Sequence, residues 1–518
     1  MPDIVRRPVE TRMAALACAH RRPRLGALIG LGALAALGHA PFDLWFLTVV
    51  ALIIAFGILA RVEAGGPAFW SGWAFGFGYF LIGMNWLVEP FLVDVAQHGW
   101  MAPFGITFLS AGLALFWGVA AMVAAWLGNP VWWRLIVLVA AIVLVEYLRG
   151  IVLTGFPWGM VAYVWIETPL SQALAWIGPH GLTAVTLALA ASIAGWLITG
   201  ERLGAPLSLA VLPGIAAVAL APGPAEPTEE GAPVIRMVQS GAQQNEKWKP
   251  ENISRFLNVQ LDATGAGPAA DLTIWSEAAI PYLVDEAGPL FVTMAELARG
   301  GSVIAGIQRF EDGRYYNSLV ALGEEGMVEA VYDKNHLVPF GEYLPFDALL
   351  RRIGIAAIAS NVGAGFAHGT ERALIDIPGI GPILPLICYE GIFPAQVAEG
   401  PRPRLMVLIT NDAWFGNFSG PYQHLVQGRA RAIEQGVPMV RVAQTGVSAM
   451  IDGKGRMTAS LELGEAGGVD AALPPELPPT LYARTGDVPA LLLMLLTLAV
   501  AGMLRMQRNR IDPASEGA

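Results

Sequence analysis

Cysteine is almost missing from this chain: there are two in 518 residues, Cys18 and Cys388. A disulfide framework is thereby excluded, because the single available bridge would have to tie Cys388 to a distant, basic N-terminal tail. Charge is scarce as well. Asp, Glu, Lys and Arg supply 14% of the residues while 55% are hydrophobic, and an ordinary soluble protein carries about a quarter charged. The formal charge of −10 argues against nucleic acid as a partner, since phosphate binding needs a basic face. No metal-ligand spacing and no glycine-rich phosphate loop occurs, so neither metal nor cofactor is expected.

What is abundant is apolar sequence, and it is unevenly spread. Stretches of about 20 apolar residues, enough to cross a bilayer, fall near 25–40, 43–60, 68–91, 100–127, 131–150, 170–199 and 204–221, with an eighth at 487–505. The first two are separated by "GHAPFD" and suit a tight hairpin. The run "GIVLTGFPWGMVAYVWIETP" (150–169) is broken by Gly and Pro and reads as an interfacial or re-entrant piece. Arg6, Arg7, Arg12, Arg21, Arg22 and Arg24 precede the first span, and Arg505, Arg508 and Arg510 follow the last. Arg61, Arg134 and Arg202 fall in alternate loops, whereas "GHAPFD" and "VEPFLVDVAQHG" carry neither Lys nor Arg. The positive-inside rule therefore sets both termini in the cytoplasm. Eight spans satisfy that parity and place residues 232–482 outside, in the periplasm of a bacterium. The expected organisation is a basic tail 1–24, a seven-helix membrane domain 25–222, an outside domain 232–482, a last helix 487–505 and a tail 506–518. "MAALACAH" is too short for a signal peptide, and Leu16 lies too close to Cys18 for a lipoprotein signal. Cys18 is read as an incidental cytoplasmic thiol, and the 16 Trp residues as interfacial anchors.

From 232 onward the pattern becomes that of a globular α/β domain. Strands are expected at 234–240, 271–277, 301–310, 315–322, 382–389, 404–411 and 438–452, with "MVEAVYDK" (327–334) as a further strand-like run. Helical periodicity occupies "PENISRFLNVQLDATG", "GPLFVTMAELARG" and "GPYQHLVQGRARAIEQG", each beginning or ending at Pro or Gly. Continuous Val, Ile and Leu in the strands implies sheets buried on both faces.

Polar residues recur at strand ends, where layered α/β domains assemble their sites: Glu277 after "TIWS", Lys334 after "VYD", Cys388 after "PLI", Asn411 and Asp412 after "VLIT". Singly, each has a blander explanation. Cys388 alone is a small buried hydrophobe, Glu277 a surface carboxylate, Lys334 a solvated charge, and His336 a satisfied histidine. As a proton acceptor for Cys388, His336, Glu277 and Glu390 all stand open. Together, a carboxylate, an ammonium and a thiol are the parts that acyl transfer through a thioester requires: base, oxyanion partner and nucleophile.

The order Glu277, Lys334, Cys388, in "WSEAAIP", "YDKNHLVPFGEYLPF" and "ICYEGIFP", resembles the nitrilase superfamily, with "KNHLVPFGEYLP" the strongest match. With the apolar spans, "ITNDAWFGNFSGPYQHL" and "RAIEQGVPMVRVAQTGVSAMID", nearly the whole chain after residue 25 resembles the apolipoprotein N-acyltransferase family. The resemblance implies an αββα nitrilase-like domain carried on eight membrane helices of the bacterial inner membrane. It implies acyl transfer from a phospholipid, phosphatidylethanolamine being the expected donor, to the amino group of an S-diacylglyceryl cysteine on an apolipoprotein, by a monomer. By motif position Glu277 is the general base, Lys334 the oxyanion-stabilising cation and Cys388 the nucleophile. Glu342, Tyr389, Glu390, Asn411 and Trp414 take supporting roles, and Trp248 in "NEKW" a flap over the acyl entrance. Acyl chains leave a bilayer only at about 0.8 kcal/mol per CH₂, so a site using them belongs low against the outer leaflet. A membrane-tethered amidase with the same triad is the alternative. A transporter or receptor is disfavoured, because Glu146 is nearly the sole charge within the spans.

Overall fold

The computed structural model describes residues 11, 21–200, 230–345, 365–370 and 372–511. The expected span at 204–221, most of the N-terminal tail and Cys18 lie outside the described residues. The chain divides into two compact units, Met1–Gly223 with Leu481–Ala518, and Pro224–Thr480.

The first unit is helical. Its main helices are α1 (Arg21–Ala36), α2 (Trp45–Leu59), α3 (Gly66–Gly83), α4 (Ala102–Leu127), α5 (Val131–Arg149) and α6 (Leu174–Thr199), with a later helix at Val488–Ile511. Among the described residues four stretches, Val95–Leu127, Val131–Arg149, Pro169–Thr199 and Val488–Arg510, are long and apolar enough to cross a membrane. Helices α1 and α3 approach through glycine. A Cβ on Gly32 would stand 2.0 Å from the Phe75 carbonyl oxygen, and one on Gly78 2.0 Å from that of Ile29. Small residues let apolar helices pack by dispersion where no water drives them together. Between α5 and α6 the expected irregular piece is a series of turns and 3₁₀ segments, Val161–Trp165 and Pro169–Ala173. Arg149 ends α5 and donates to the carbonyls of Phe156 (2.5 Å) and Trp158 (2.7 Å), satisfying backbone that no helix would. Glu146 is buried one turn earlier.

The second unit holds two six-stranded sheets. One has the order β12-β1-β2-β3-β4-β5 and the other β11-β10-β9-β8-β7-β6. The first is built from β1 (Val234–Gln239), β2 (Leu272–Trp275), β3 (Ser302–Glu311), β4 (Arg314–Leu322), β5 (Val328–Asp333) and β12 (Gly467–Ala472). The second is built from β6 (Ile375–Ile377), β7 (Gly381–Ile387), β8 (Leu405–Thr410), β9 (Met439–Ala443), β10 (Ser448–Ile451) and β11 (Met457–Leu461). In each, three parallel strands (β1, β2, β3 and β7, β8, β9) are flanked by antiparallel ones.

Strand periodicity sorts the side chains into layers. Leu405, Val407 and Ile409 of β8 meet Ile235, Met237, Leu272 and Ile274 between the sheets. Met406 and Leu408 point the other way, against Leu425 and Ala432 of α9 (Gly420–Gln435). On the opposite face Trp275, Val303 and Ala305 pack on α7 (Pro250–Gly265) and α8 (Gly288–Ala298) through Ala263, Phe291 and Met294. The sheets are buried on both faces, as strands apolar on both faces require, and the four layers form the αββα arrangement that the family resemblance implied. One expected strand needs correction: 438–452 is two antiparallel strands, β9 and β10, joined by a turn at 444–447. The reversal falls at Gln444, Thr445 and Gly446, a short polar break with a glycine between two apolar runs, which is the ordinary local mark of a turn.

Candidate active site

Three strand ends converge. Glu277 follows β2 and Lys334 follows β5, both of the first sheet, while Cys388 follows β7 of the second. All are buried: Glu277 is 5%, Lys334 1% and Cys388 7% exposed. Lys334 Nζ donates to Glu277 Oε1 at 3.3 Å and to Glu342 Oε1 at 2.9 Å. Asn317 donates through Nδ2 to the same two oxygens, at 2.8 Å each. The second oxygen of Glu277 accepts from the Asn411 backbone N–H at 2.7 Å, across the two sheets. Gly306 makes room for this strand end, because a Cβ there would lie 2.6 Å from Glu277 Cα and the Ser276 oxygen.

Burial alone would lower the Lys334 ammonium, but the carboxylates of Glu277 and Glu342 outweigh it and hold that ammonium well above its usual range. The thiol of Cys388 moves in the same direction for a different reason. Burial, then the Glu277 charge, push it up, while Lys334 and a hydrogen bond with Thr410 act against them. At neutral pH the site therefore holds a thiol rather than a free thiolate, and the sulfur becomes nucleophilic only as its proton departs.

Cys388 opens the 3₁₀ turn Cys388–Ile392 with φ +52°. A non-glycine residue in the left-handed region costs about 1–2 kcal/mol, so the surroundings must hold it there. Glu390 does so. Its Oε2 accepts from Ile387 N–H at 2.8 Å, and its Oε1 from Tyr332 Oη (2.8 Å) and the Asn335 and His336 backbone N–H groups (2.8 and 3.2 Å). One buried carboxylate thus locks the cysteine turn to the chain around Lys334. Burial pushes the Glu390 carboxyl up, against these donors. Glu390, adjacent in sequence to the thiol and a candidate base on that ground, is fully occupied elsewhere. His336, the other candidate, is engaged by Gln396 Nε2 through Nδ1 (2.8 Å) and stacks on Phe393 at 4.1 Å. Tyr389 packs edge-on to His336 and Phe393.

Behind Cys388, Thr410 Oγ1 donates to Asp412 Oδ1 at 2.8 Å. Asp412 also accepts from His424 Nδ1 at 2.9 Å and from Arg441. Burial would raise the Asp412 carboxyl, but Arg441 and His424 overcome it and hold it well below the carboxylate range. Asn411 donates through Nδ2 to Gln244 Oε1 at 2.9 Å, joining the loop after β1 to the site wall. On that loop Trp248 is half exposed, as is Trp414 in the turn Asp412–Phe415. Among the described residues no group of three or more His, Cys, Asp or Glu side chains is placed to hold a metal ion.

Asn317, Thr410 and Lys247 carry no sequence signal. Asn317 sits inside β4, in "YYNSLVAL", paired in register with Gln308, and nothing local marks it. Its amide is the one neutral group tying both carboxylates together. Asn317→Ala is therefore expected to loosen Glu277 and Glu342 and to lower kcat by about 10²-fold, the cost of a small misplacement, with little change in KM. Steady-state kinetics of the variant check this, and a KM effect alone would contradict it.

The chain matches the family model "Carbon-nitrogen hydrolase" over residues 230–477 and the model "Apolipoprotein N-acyltransferase N-terminal domain" over residues 31–192. It is similar to the apolipoprotein N-acyltransferase of Rhodopseudomonas palustris, 38% identical with 98% of this chain and 99% of the relative covered. It is also similar to those of Caulobacter vibrioides (39%, 93% and 95% covered) and Bradyrhizobium diazoefficiens (39%, 93% and 95%). A carbon–nitrogen hydrolase sheet domain whose strand ends bring together a thiol, a carboxylate and an ammonium, joined in one chain to a unit of apolar helices and related end to end to these proteins, belongs to the apolipoprotein N-acyltransferase family.

Proposed function

We propose that this chain transfers an acyl chain from a phospholipid to the amino group of a diacylated apolipoprotein, through a thioester on Cys388. The observation that carries this reading is the buried set Glu277–Lys334–Cys388 in a chain that also bears membrane-length apolar helices. The Glu277 carboxylate takes the thiol proton as Sγ attacks the donor ester. The Lys334 ammonium, held protonated by two carboxylates, balances the oxyanion. Glu277 returns the proton to the departing lysophospholipid. In the second half, the acceptor amine attacks the thioester, Glu277 removes its proton, and sulfur leaves as the thiol. Water must be kept out while the thioester stands, or hydrolysis replaces transfer.

Glu342 and Asn317 hold Glu277 and Lys334 in register, Glu390 and Tyr389 fix the cysteine turn, and Asn411 anchors the base from the opposite sheet. Trp248 and Trp414, both half exposed, border the acyl entrance. Distribution of Lys and Arg supports eight spans in the inner membrane, cytoplasmic termini and a catalytic domain on the periplasmic side. The donor is phosphatidylethanolamine and the working form a monomer.

The test is transfer from phosphatidylethanolamine to a synthetic diacylated lipopeptide, with intact-mass analysis of the enzyme. The expected result is an acyl adduct on Cys388 in the absence of acceptor and an N-acylated peptide in its presence. Release of free fatty acid with no acylated peptide would make the protein a membrane-tethered hydrolase instead.

A further inference from the structure

The unit contains a second buried lysine whose surroundings are unlike those of Lys334. Lys247, in the loop between β1 and α7, is 6% exposed. Its Nζ donates to the neutral amide oxygen of Gln444 and lies 4.8 Å from the centroid of the Trp248 ring. No carboxylate clamps it as Glu277 and Glu342 clamp Lys334. A buried ammonium lacking a counter-charge is costly, and such lysines occur where the neutral amine is used.

Its position is informative. Lys247 lines a cavity with Trp248, Phe256, Gln260, Ala279 and Pro281. Ala279 is two residues past Glu277, and Gln244, three before Lys247, receives Asn411 Nδ2. The cavity thus borders the loop that carries Glu277. The amide oxygen of Gln260 is buried on that wall with no hydrogen-bond partner, ready to accept an N–H from a ligand.

The chemistry leaves a place for such a group. An α-amine reaches the site largely as ammonium, with an ordinary pKa of about 7.7–8.0. It must lose one proton before it can attack and a second as the amide forms. Glu277 takes the second and passes it to Sγ, which returns that base to its starting state. Lys334 is already protonated and cannot take the first.

We propose that neutral Lys247 is the base that removes the first proton from the acceptor's ammonium, with the Gln260 carbonyl orienting the N–H bonds. This rests on the acyl-transfer reading above. The step balances: R–NH₃⁺ gives a proton to Nζ, R–NH₂ attacks the thioester carbon, and the C–N bond forms as the C–S bond breaks. Glu277 moves the second proton to sulfur, and Lys247 sheds its proton to solvent.

Burial lowers the Lys247 amine to about 7, with Glu277 opposing, so that both forms are populated at neutral pH. Of the charged groups on surrounding elements, Glu246 and Lys249 pair with each other at 2.5 Å on its own loop, and Glu251 and Arg255 lie on α7. Glu277 is the one whose charge acts on Lys247.

The experiment separates the half-reactions. Full-length wild type, Lys247→Arg and Lys247→Met are loaded with phosphatidylethanolamine, freed of donor and mixed with diacylated lipopeptide in a single turnover. Arginine keeps a donor for Gln444 but is permanently protonated and cannot act as a base. Both variants are expected to form the Cys388 thioester and then to transfer at least about tenfold more slowly at neutral pH, general bases being worth about 10²–10⁴-fold. The deficit should shrink above about pH 9, where the acceptor arrives neutral. Wild-type transfer rates in Lys247→Arg would overturn the proposal, as would equal slowing of both half-reactions or a deficit independent of pH. If wild type itself forms no thioester, the acyl-transfer reading falls and this one with it.

Discussion

Cys388→Ala is expected to abolish both thioester formation and acyl transfer, lowering turnover by at least about 10⁴-fold, since loss of a nucleophile can reach about 10⁶-fold. Intact-mass analysis and lipopeptide acylation check this, and substantial transfer by the variant would remove the thioester from the mechanism. The fold should survive, because Cys388 ends a strand and the turn is held by Glu390, not by sulfur. The left-handed backbone allows a sharper comparison. At φ +52° alanine is strained as cysteine is, while glycine is not, so Cys388→Gly should be about 1 kcal/mol more stable than Cys388→Ala. Denaturation of the two variants in detergent tests it, and a less stable glycine variant would mean that the strain is not released. A pH consequence follows as well. Because burial and Glu277 push the thiol up, alkylation of Cys388 by iodoacetamide should rise only above the range of an ordinary cysteine. Glu277→Gln, by removing the negative charge, should move that midpoint down.

Lys334→Met should be less damaging to activity than Cys388→Ala but far worse for stability. The methionine chain fills similar volume, but Glu277 and Glu342 are left facing each other with Asn317 as their shared donor. Removing one partner of a buried ion pair costs about 3–5 kcal/mol, which thermal unfolding of the catalytic unit would register. Activity loses the oxyanion cation, worth on the order of 10²–10³-fold for a single donor, and more if Glu277 shifts. The double variant Lys334→Met with Glu342→Gln removes one of the stranded charges and should regain part of the stability without regaining activity. If it regained both, Lys334 would be structural rather than chemical.

Glu277, Lys334 and Cys388 were legible because each ends a strand-like run and because together they match one family motif, although each alone is unremarkable. Asn317 was not legible. It lies mid-strand among residues that alternate normally, and its importance arises only when β4 pairs with β5 and brings it to the Lys334 backbone, whose N–H it accepts at 2.8 Å. Glu390 shows the opposite error of local reading. Nearness in sequence made it a candidate base, but the 3₁₀ turn points its carboxylate away to Tyr332, Asn335 and Ile387. Lys247 stands beside Trp248 in a polar stretch, "QQNEKWK", that carries no local mark of burial. Its burial depends on a wall formed by α7, which follows it directly, and on the turn bearing Gln444, which is distant in sequence.

By itself the sequence determined that the chain is of two kinds, apolar helices and a doubly buried α/β unit, and which strand ends carry a carboxylate, an ammonium and a thiol. Both follow from burial, which is written locally as hydrophobic period and length. The tertiary structure put Glu277, already named by the family resemblance, beside Lys334 and turned Glu390 and His336 to other partners. It alone set Asn317 between two carboxylates and left Lys247 without one. Those outcomes depend on pairing two sheets face to face and on where charges find partners once water is gone. No local pattern records either.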